Sequence, residues 1–472
     1  MSSSDFSSAR RAFLKNVGIG TGAFGVLAPG ALLIPGISRA ACEPPGTPGT
    51  AKPWRADCRP IRSRRPASTL TAAEMQKLKD AYAAMRALST SDPSDPRGFT
   101  HQANIHCWFC NNSPTPVHGN WQFFAFHRAY LYFHERILGK LINDSEFRLP
   151  YWDWEISTHR QIPSAYTSPN NNTNALWNGT RGMSPTDVLP DEDVNEDVME
   201  PVYSAANFGE FGGGAGYSGI PEGSPHGSVH VDVGGDMGAF DSAGRDPIFY
   251  AHHSNVDKLW SDWNKGASSH ENPSDPAFLN LSWSFYDENK VWRSIKASQL
   301  LNHETQLRYN YGLSRFREIL PCILDWIIVR PPWRFDKAVL VEPKFRDQIM
   351  KALDERRPVR MHINFPQVPL DKSAVYRVYA DPKEAEADAG PKSPAFLGVI
   401  PIVLNTREKH HPPKAPQVVL NVGRKLPALL RSTDGIQLAI VERVAKKDQA
   451  KPRVQLLSAK EVYFSYGETM RE

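Results

Sequence analysis

The 472-residue chain has little net charge and almost no long hydrophobic run. Its 55 basic and 51 acidic residues leave a formal charge of +4, and they are scattered, so no nucleic-acid partner is expected. Beyond residues 17–37, no apolar stretch is long enough to cross a bilayer, and we expect no stable membrane anchor. Hydrophobic residues still make up 40% of the chain, enough for a sizeable core and more than one domain.

Cysteine is also scarce. The five cysteines are Cys42, Cys58, Cys107, Cys110 and Cys322. Because their number is odd, at least one has a role outside a disulfide. Cys107 and Cys110 form one C-x-x-C pair, which is typical of half a zinc knuckle or of a redox pair, but the chain has no second such pair.

The N-terminus has the pattern of an export signal. Arg10 and Arg11 precede a Phe-Leu-Lys segment, and the weakly apolar residues 17–37 are followed by a small-x-small cleavage signal at residues 38–40. Paired arginines in this position are typical of the twin-arginine route, which exports folded proteins. We therefore expect residues 1–40 to be a signal peptide and the mature protein to be periplasmic or secreted. The alternative, a membrane anchor, is disfavoured by the glycines and prolines in this segment.

The rest of the chain divides by pattern. Residues 71–88 have helical spacing of apolar residues, and Thr71 with Glu74 forms a predicted capping box. From about Trp333, short β-type runs alternate with turn residues, as in a β-sandwich. We predict a mainly helical domain with an N-terminal arm at residues 41–312, a linker at 313–332 and a β domain at 333–472.

Histidines are concentrated in two regions. They are His106, His118 and His127 in the first, and His226, His230 and His253 in the second. His226 and His230 are four residues apart, so on a helix they share one face and can chelate one ion. His127 lies in an apolar helix, where an unpaired imidazole would be costly. Sites made of imidazoles without carboxylates favour copper or zinc over magnesium, calcium or manganese.

These histidines also allow other interpretations. A zinc hydrolase would normally place a glutamate between a four-spaced pair, whereas Gly227, Ser228 and Val229 stand there. A single histidine on an apolar helix is more often a core residue than a ligand. His134 follows His127 by seven residues on the same helix face, so periodicity alone makes it a rival ligand.

The segments around these histidines resemble the type-3 copper proteins, and among them the plant-like polyphenol oxidases (tyrosinase and catechol oxidase), here as a bacterial type with a twin-arginine signal. The matching motifs are His106-Cys107-x-x-Cys110, Phe126-His127-Arg128-x-Tyr130-Leu131-Tyr132-Phe133-x-Glu135-Arg136, Leu149-Pro150-Tyr151-Trp152-Asp153-Trp154, Pro225-His226-x-x-Val229-His230 and Phe249-Tyr250-x-His252-His253-Ser254-Asn255-Val256-Asp257. The resemblance implies a mainly α catalytic domain whose four-helix bundle holds a dicopper site, followed by a C-terminal β-sandwich domain.

The resemblance also implies the ligands. The first copper matches His106, His118 and His127, and the second matches His226, His230 and His253. His252 then lies beside a ligand, and His134 is not one. Cys110 matches a cysteine that forms a thioether with the imidazole matching His118. Cys107 matches a cysteine bonded to the N-terminal arm, with Cys42 and Cys58 as candidate partners, and Cys322 is expected to be a buried thiol.

Three more positions match functional residues of the family. Glu222 matches a glutamate that holds an active-site water, although by itself it would be interpreted as a solvated loop carboxylate. Phe240 matches the bulky residue stacked over the second copper, and Gly227 occupies a position that modulates action on monophenols. Asp257 and Arg245 are left open between contacts to the ligands and structural ion pairs.

The implied activity is oxidation of o-diphenols to o-quinones with O2 as co-substrate at two copper ions of a binuclear type-3 centre, with ortho-hydroxylation of monophenols as an optional step. The alternative is a type-3 copper protein that binds oxygen without catalysis. The partner is a small phenol, and the sequence leaves its identity and the oligomeric state open. The C-terminal β domain resembles the one that covers the copper site in latent polyphenol oxidases, and we expect residues 396–399 to place an apolar plug there.

Overall fold

The structure is a computed structural model. It describes residues 42, 49–56, 59–113, 115–267, 270–311, 323–329, 343–354, 359–364, 373–387, 389–403, 417–422, 439–443, 454–456 and 461–469. The predicted signal peptide, Cys58 and Cys322 lie outside these residues. Within the described part, no helix combines the length and the apolar character needed to cross a membrane.

The described helices lie mostly before residue 311. They are α1 (Ala72–Ser91), α2 (Phe99–Cys107), α3 (Gln122–Leu141), α4 (Asp191–Val194), α5 (Glu196–Tyr203), α6 (Phe208–Gly212), α7 (Ser228–Val233), α8 (Ile248–Gly266), α9 (Pro276–Leu279), α10 (His303–Gln306), α11 (Pro343–Asp354) and α12 (Pro382–Glu386). Two wider π-type turns, Trp108–Asn112 and Glu222–Gly227, extend α2 and precede α7.

The described strands are short. They are β1 (Lys52–Pro53), β2 (Arg62–Ser63), β3 (Ser282–Tyr286), β4 (Trp292–Lys296), β5 (Tyr309–Asn310), β6 (Ile323–Val329), β7 (Val359–Asn364), β8 (Ala374–Tyr379), β9 (Phe396–Ile402), β10 (Gln417–Asn421), β11 (Ala439–Glu442), β12 (Val454–Leu456) and β13 (Glu461–Thr469). The arm strands β1 and β2 pair with β4 and β5, which fastens the N-terminal arm to the end of the helical part.

Helices α3 and α8 form the centre of the helical part. Nearly every residue of both helices is buried, which is the pattern of a helix surrounded by core on all sides. Helix α3 packs against α8 and α1, and α1 packs against α2. The predicted capping box is confirmed, because Thr71 and Glu74 bond reciprocally at the start of α1.

Asp257 on α8 is the centre of a buried ion network. It accepts hydrogen bonds from Arg128 on α3 and from Arg64 beside β2, and from the hydroxyls of Tyr309 and Tyr311. Although burial raises it, the guanidinium groups of Arg128 and Arg64 bring the pKa of Asp257 down to about 2. Of the two roles left open for Asp257, the structure shows the structural ion pair. Asp257 joins the arm to two core helices.

The C-terminal part contains two four-stranded sheets, with strand orders β10-β7-β13-β6 and β12-β11-β8-β9. Among the described residues their strands pair antiparallel, and β7 to β12 fall on β-type runs of the sequence. The predicted linker 313–332 needs a correction, because residues 323–329 form strand β6 and pair with β13. That segment reads Ile-Leu-Asp-Trp-Ile-Ile-Val, and such β-branched and aromatic residues favour strands.

Candidate metal centre

Two clusters of possible ligand atoms lie side by side in the core. The first cluster comprises His106, Cys110, His118 and His127, and the second comprises His226, His230, His252 and His253. Within each cluster the ligand atoms all lie within 4.8 Å of one another. The clusters adjoin, because the rings of His127 and His253 stack with their centroids 4.3 Å apart.

Five separate pieces of backbone bring the six predicted ligands together. His106 ends α2 just before a π-type turn, His118 lies in the following loop, and His127 lies in the first half of α3. His226 is in the turn Glu222–Gly227, which runs directly into α7 with His230, and His253 is on α8. Wide π-type turns are frequent at functional sites because they re-aim side chains, and here one adjoins a histidine in each cluster.

The tautomers of five histidines are fixed by acceptors at Nδ1. The contacts are His106 to the Phe240 carbonyl at 2.9 Å, His118 to Glu222 Oε1 at 3.1 Å, His127 to the Phe123 carbonyl at 2.8 Å, His226 to the Glu222 carbonyl at 2.8 Å and His230 to the Met237 carbonyl at 2.7 Å. Carbonyl oxygens only accept, so the hydrogen lies on Nδ1 and the lone pair on Nε2. Metal-binding imidazoles are oriented in this way by the partner of their second nitrogen.

The Nε2 atoms that result have the character of metal ligands. In the described part of the chain, Nε2 of His106, His118, His127 and His226 is buried without a hydrogen-bond partner, and so is Nε2 of His252. Nε2 of His230 faces Nε2 of His253 at 3.1 Å. Buried imidazole nitrogens without partners are costly, and a cation among them would remove that cost. The six residues therefore fit a pair of copper ions, which imidazole ligands suit.

The protonation states agree with this fit. Burial, reinforced by neighbouring imidazoles, lowers the pKa of His106, His127, His226 and His253 well below the ordinary value. Burial likewise lowers the pKa of His230 to about 4. These rings are neutral at neutral pH, as metal coordination requires.

Two other buried histidines have different surroundings. His134 contacts Gln102 through Nδ1 and Tyr82 through Nε2, and its ring stacks on Tyr250 at 3.7 Å. It is a core residue with both nitrogens engaged. His252 belongs to the second cluster, but its Nδ1 accepts a hydrogen bond from the indole of Trp154. Neither the spacing nor the motifs of the sequence indicate Trp154 as a partner of His252.

The cysteines of the first region are in two states. Cys42 and Cys107 form a disulfide that ties the N-terminal arm to the residue after His106. Cys110 is a buried free thiol in the first cluster. Burial, with a contribution from the Glu222 carboxylate, raises the pKa of this thiol well above its usual range.

Glu222 is placed between the two clusters. Its Oε1 accepts hydrogen bonds from the Gly119 amide at 2.7 Å and from His118 Nδ1 at 3.1 Å. Its Oε2 is buried and has no hydrogen-bond partner among the described residues. The carboxylate is therefore inside the site and orients a first-cluster imidazole, which its loop position in the sequence did not reveal.

Phe240 lies beside the first cluster, whereas it was expected over the second. Its ring packs against His118 of the first cluster with centroids 4.5 Å apart, and its carbonyl holds His106. The expectation that it stacks over the second copper is corrected accordingly. The reason is the path of the chain, because the following turn Ala243–Arg245 packs on α2 and carries Phe240 towards the first cluster. Arg245 itself, in the described part, makes no side-chain ion pair.

Strand β9 covers the turn that carries His226. A Cβ atom added to Gly227 would lie 3.3 Å from Cγ and 3.4 Å from Cβ of Pro401. Phe396 and Val399, from the segment expected to plug the site, pack in the sheet's own apolar cluster, against which Val231 of α7 rests. Pro401 is instead the β9 residue found against the turn.

Arginines of the same sheet bind carboxylates of the helical part. Arg443, after β11, forms ion pairs with Asp193 and Asp232, and it contacts Glu192 at 3.0 Å. Arg377 on β8 contacts Glu192 at 3.1 Å. Burial and the nearby Asp193 raise the pKa of Asp232, and Arg443 acts against both by favouring the charged carboxylate. No local pattern in the sequence indicates these ion pairs, since they join positions far apart in the chain.

Comparison with known proteins gives consistent matches. Residues 96–194 and 166–266 match the common central domain of tyrosinase, and residues 272–327 match the polyphenol oxidase middle domain. The latent, chloroplastic polyphenol oxidase of Prunus armeniaca is 34% identical over 318 residues, which are 59% of this chain and 51% of that protein. This chain therefore spans about half the length of that curated relative.

Solved structures extend the similarity to the fold. The crystal structure of Grenache (Vitis vinifera) polyphenol oxidase is 31% identical with a TM-score of 0.54, and the match covers 59% of this chain and 93% of that one. Latent aurone synthase (polyphenol oxidase) from its natural source is 25% identical with a TM-score of 0.68, and the match covers 90% of this chain and 94% of that one.

Proposed function

Because the chain belongs to the tyrosinase family of type-3 copper proteins, we propose that it is a polyphenol oxidase that oxidises o-diphenols to o-quinones with O2. The observation that carries this proposal is the convergence of six predicted ligand imidazoles in two adjoining clusters. A bound copper pair would supply the transfer of two electrons from the diphenol towards O2. The protein would supply the dry, rigid surroundings and the positions of the ligands.

We assign the ligands as the sequence predicts. His106, His118 and His127 would hold the first copper, and His226, His230 and His253 would hold the second. The bundle that holds the pair would consist of α1, α2, α3 and α8. This assignment is supported by the Nδ1 contacts of five of the six ligands, all but His253, which leave Nε2 available in both clusters.

Glu222 would handle the phenolic proton. Its Oε1 is occupied by His118 and Gly119, whereas its buried Oε2 has no partner within the described region and can hold a water molecule. A monophenol must lose its proton before ortho-hydroxylation, so a carboxylate-held water is a suitable acceptor. Glu222→Gln keeps an oxygen for His118 and Gly119 but removes the charge. Monophenol turnover should fall more than diphenol turnover, and an equal loss on both substrates would reject this role.

Cys110 would form a thioether to the ring of His118. Sulfur would bond to a ring carbon in place of the S–H and C–H hydrogens, and O2, the oxidant of the proposed reaction, would take up the two protons and two electrons. The proposal is supported by the burial of the free thiol within the first cluster. Peptide mass spectrometry of the copper-loaded protein should find the two peptides joined and lighter by two hydrogen atoms. Separate, unmodified peptides from fully copper-loaded protein would exclude the crosslink.

The C-terminal part would act as a shield of the site, so that the enzyme is latent while it is in place. Support comes from the packing of Pro401 against Gly227 beside His226. We also propose that residues 1–40 are the twin-arginine signal of a bacterial-type member and that the mature protein is periplasmic or secreted. Substituting Arg10 and Arg11 by lysine should retain the protein in the cytoplasm, and unchanged export would reject the signal.

The deciding experiment is oxygen consumption with a catechol and with a monophenol, side by side. It is performed before and after limited proteolysis, with and without a copper chelator. An oxidase consumes O2 and forms quinone after proteolysis, and the chelator abolishes both. An oxygen-binding protein without catalysis would take up O2 reversibly and form no quinone under any of these conditions.

A further inference from the structure

The second cluster contains one imidazole more than a three-ligand copper needs. His226, His230, His252 and His253 all place a ligand atom within the same 4.8 Å. His252 and His253 are neighbours on α8, and both are almost completely buried. Distance and burial alone therefore do not separate ligand from neighbour.

The hydrogen bond from Trp154 distinguishes His252 from the three predicted ligands. Its indole Nε1 donates to Nδ1 of His252 at 3.1 Å, and an indole nitrogen has no acceptor capacity. Nδ1 of His252 must therefore carry the lone pair, and in a neutral imidazole the hydrogen then lies on Nε2. This tautomer is the opposite of the one fixed at His226 and His230, where Nδ1 faces a carbonyl.

Trp154 is held firmly in that position by its neighbours in sequence. The Trp152 amide donates to the Ala251 carbonyl, one residue before His252. Glu155 contacts Asn255 at 2.7 Å and Lys258 at 3.2 Å, one and two turns further along α8. Residues 152–155 thus follow α8 closely on both sides of His252. These contacts fix the backbone from which the fully buried Trp154 indole reaches Nδ1.

We propose that Trp154 is a positioning residue that locks His252 as an Nε2–H imidazole and so limits the second metal to His226, His230 and His253. This inference rests on the proposed dicopper function. His252 then serves as a neutral ring packed parallel to His226, with an interplanar angle of 15° and centroids 5.4 Å apart. It would keep the ligand ring in place without competing for the ion.

The test uses ligand replacement in the full chain. His253→Ala removes one predicted ligand, and the locked His252 should be unable to take its place, so one of the two copper ions is lost. His253→Ala combined with Trp154→Phe frees Nδ1 and allows the other tautomer, so the second ion should return. Copper per chain is measured by elemental analysis after anaerobic loading and dialysis, which does not depend on activity.

Trp152→Phe in the His253→Ala background is the matched control. Trp152 is equally buried, but its indole donates to the His159 carbonyl instead of a clustered histidine. This control should not restore the second ion. The inference is overturned if His253→Ala alone keeps both ions, if Trp154→Phe fails to restore the second ion, or if Trp152→Phe restores it equally well.

A second measurement covers the case in which these variants do not fold. Imidazole 15N NMR of the unsubstituted metal-free chain, with His252 assigned by its loss in His252→Gln, reports the tautomer directly. A protonated Nε2 and an unprotonated Nδ1 are expected, and the reverse would overturn the inference. If the unsubstituted protein binds two copper ions and behaves as expected here but does not oxidise catechols, the proposed function fails while the role of Trp154 stands.

Discussion

Gly227→Val tests whether β9 closes the site by packing on the turn at His226. Even the Cβ of the new side chain would lie 3.3 Å from Pro401, and the two methyl groups of valine need further space. Overpacking of this kind costs about 1–3 kcal/mol. At about 1.4 kcal/mol per tenfold change, the ratio of closed to open molecules should fall roughly 5- to 150-fold.

The assay compares diphenol oxidation before and after limited proteolysis of the same sample. Any direct effect of the substitution on the copper site enters both rates and cancels in their ratio. For the unsubstituted chain we expect the rate after proteolysis to exceed the rate before it by a large factor. For Gly227→Val we expect this factor to be smaller, by up to roughly 150-fold. Replacing Pro401 by glycine in addition makes room for the valine, so the turnover before proteolysis should return towards the latent level.

Gly223→Val is the matched control for this prediction. Gly223 lies in the same turn, but a Cβ there would meet no heavy atom within 4 Å. Its activation ratio should stay at the level of the unsubstituted chain. If Gly227→Val leaves the ratio unchanged, or if Gly223→Val lowers it as much, the packing of Pro401 on the turn is not what keeps the site closed.

Arg443→Met leaves Glu192, Asp193 and Asp232 without their shared cation. A buried carboxylate without its partner costs roughly 3–5 kcal/mol. The C-terminal part should therefore be held less firmly on the helical part, and activity before proteolysis should rise. Arg62→Met breaks an exposed pair with Glu146 and should leave this activity unchanged. Asp257→Asn removes the carboxylate that pairs with buried Arg128 and one of the two that pair with buried Arg64. Arg64 keeps Glu135, but the uncompensated charge at Arg128 should lower the free energy of unfolding in urea by roughly 3–5 kcal/mol. Copper per folded chain should not change, and its loss would contradict a purely structural role. Burial lowers the pKa of His303 to about 3, and an unfolded histidine titrates near pH 6.5, so the unfolded state binds more protons between these values. The stability contributed by this neutral imidazole is therefore lost as the pH falls from 6.5 towards 3, and the Tm of the metal-free chain should fall less steeply with acid in His303→Gln; an equal slope in both proteins would contradict the assignment.

The sequence predicted what depends on local patterns. The helix from Thr71, the six histidines and the β-type runs each follow from spacing and residue type within a short window. The predicted linker at 313–332 contains the strand at residues 323–329, although the composition of that segment favours a strand. Local signals of this kind can be recovered by a closer examination of the sequence.

The remaining features depend on contacts between distant residues. Phe240 packs against the first cluster and not the second, because its side is decided by the packing of the following turn on α2. Trp154 acquires its role only from its position beside His252, ninety-eight residues later. The contact of Pro401 with Gly227 and the ion pairs of Arg443 likewise join separate parts of the chain. Such contacts leave no periodic signature, so only the structure reveals them.

The two proposed ligand sets would also determine when the protein can become chemically active. Each set of three histidines lies within its own short stretch of sequence, and the sets meet only when α3 packs on α8. A chain that has not completed this packing can capture ions singly, but it cannot place two of them side by side. Since non-local packing is completed late, reaction with oxygen would be delayed until folding is complete, which protects the immature chain from oxidising itself.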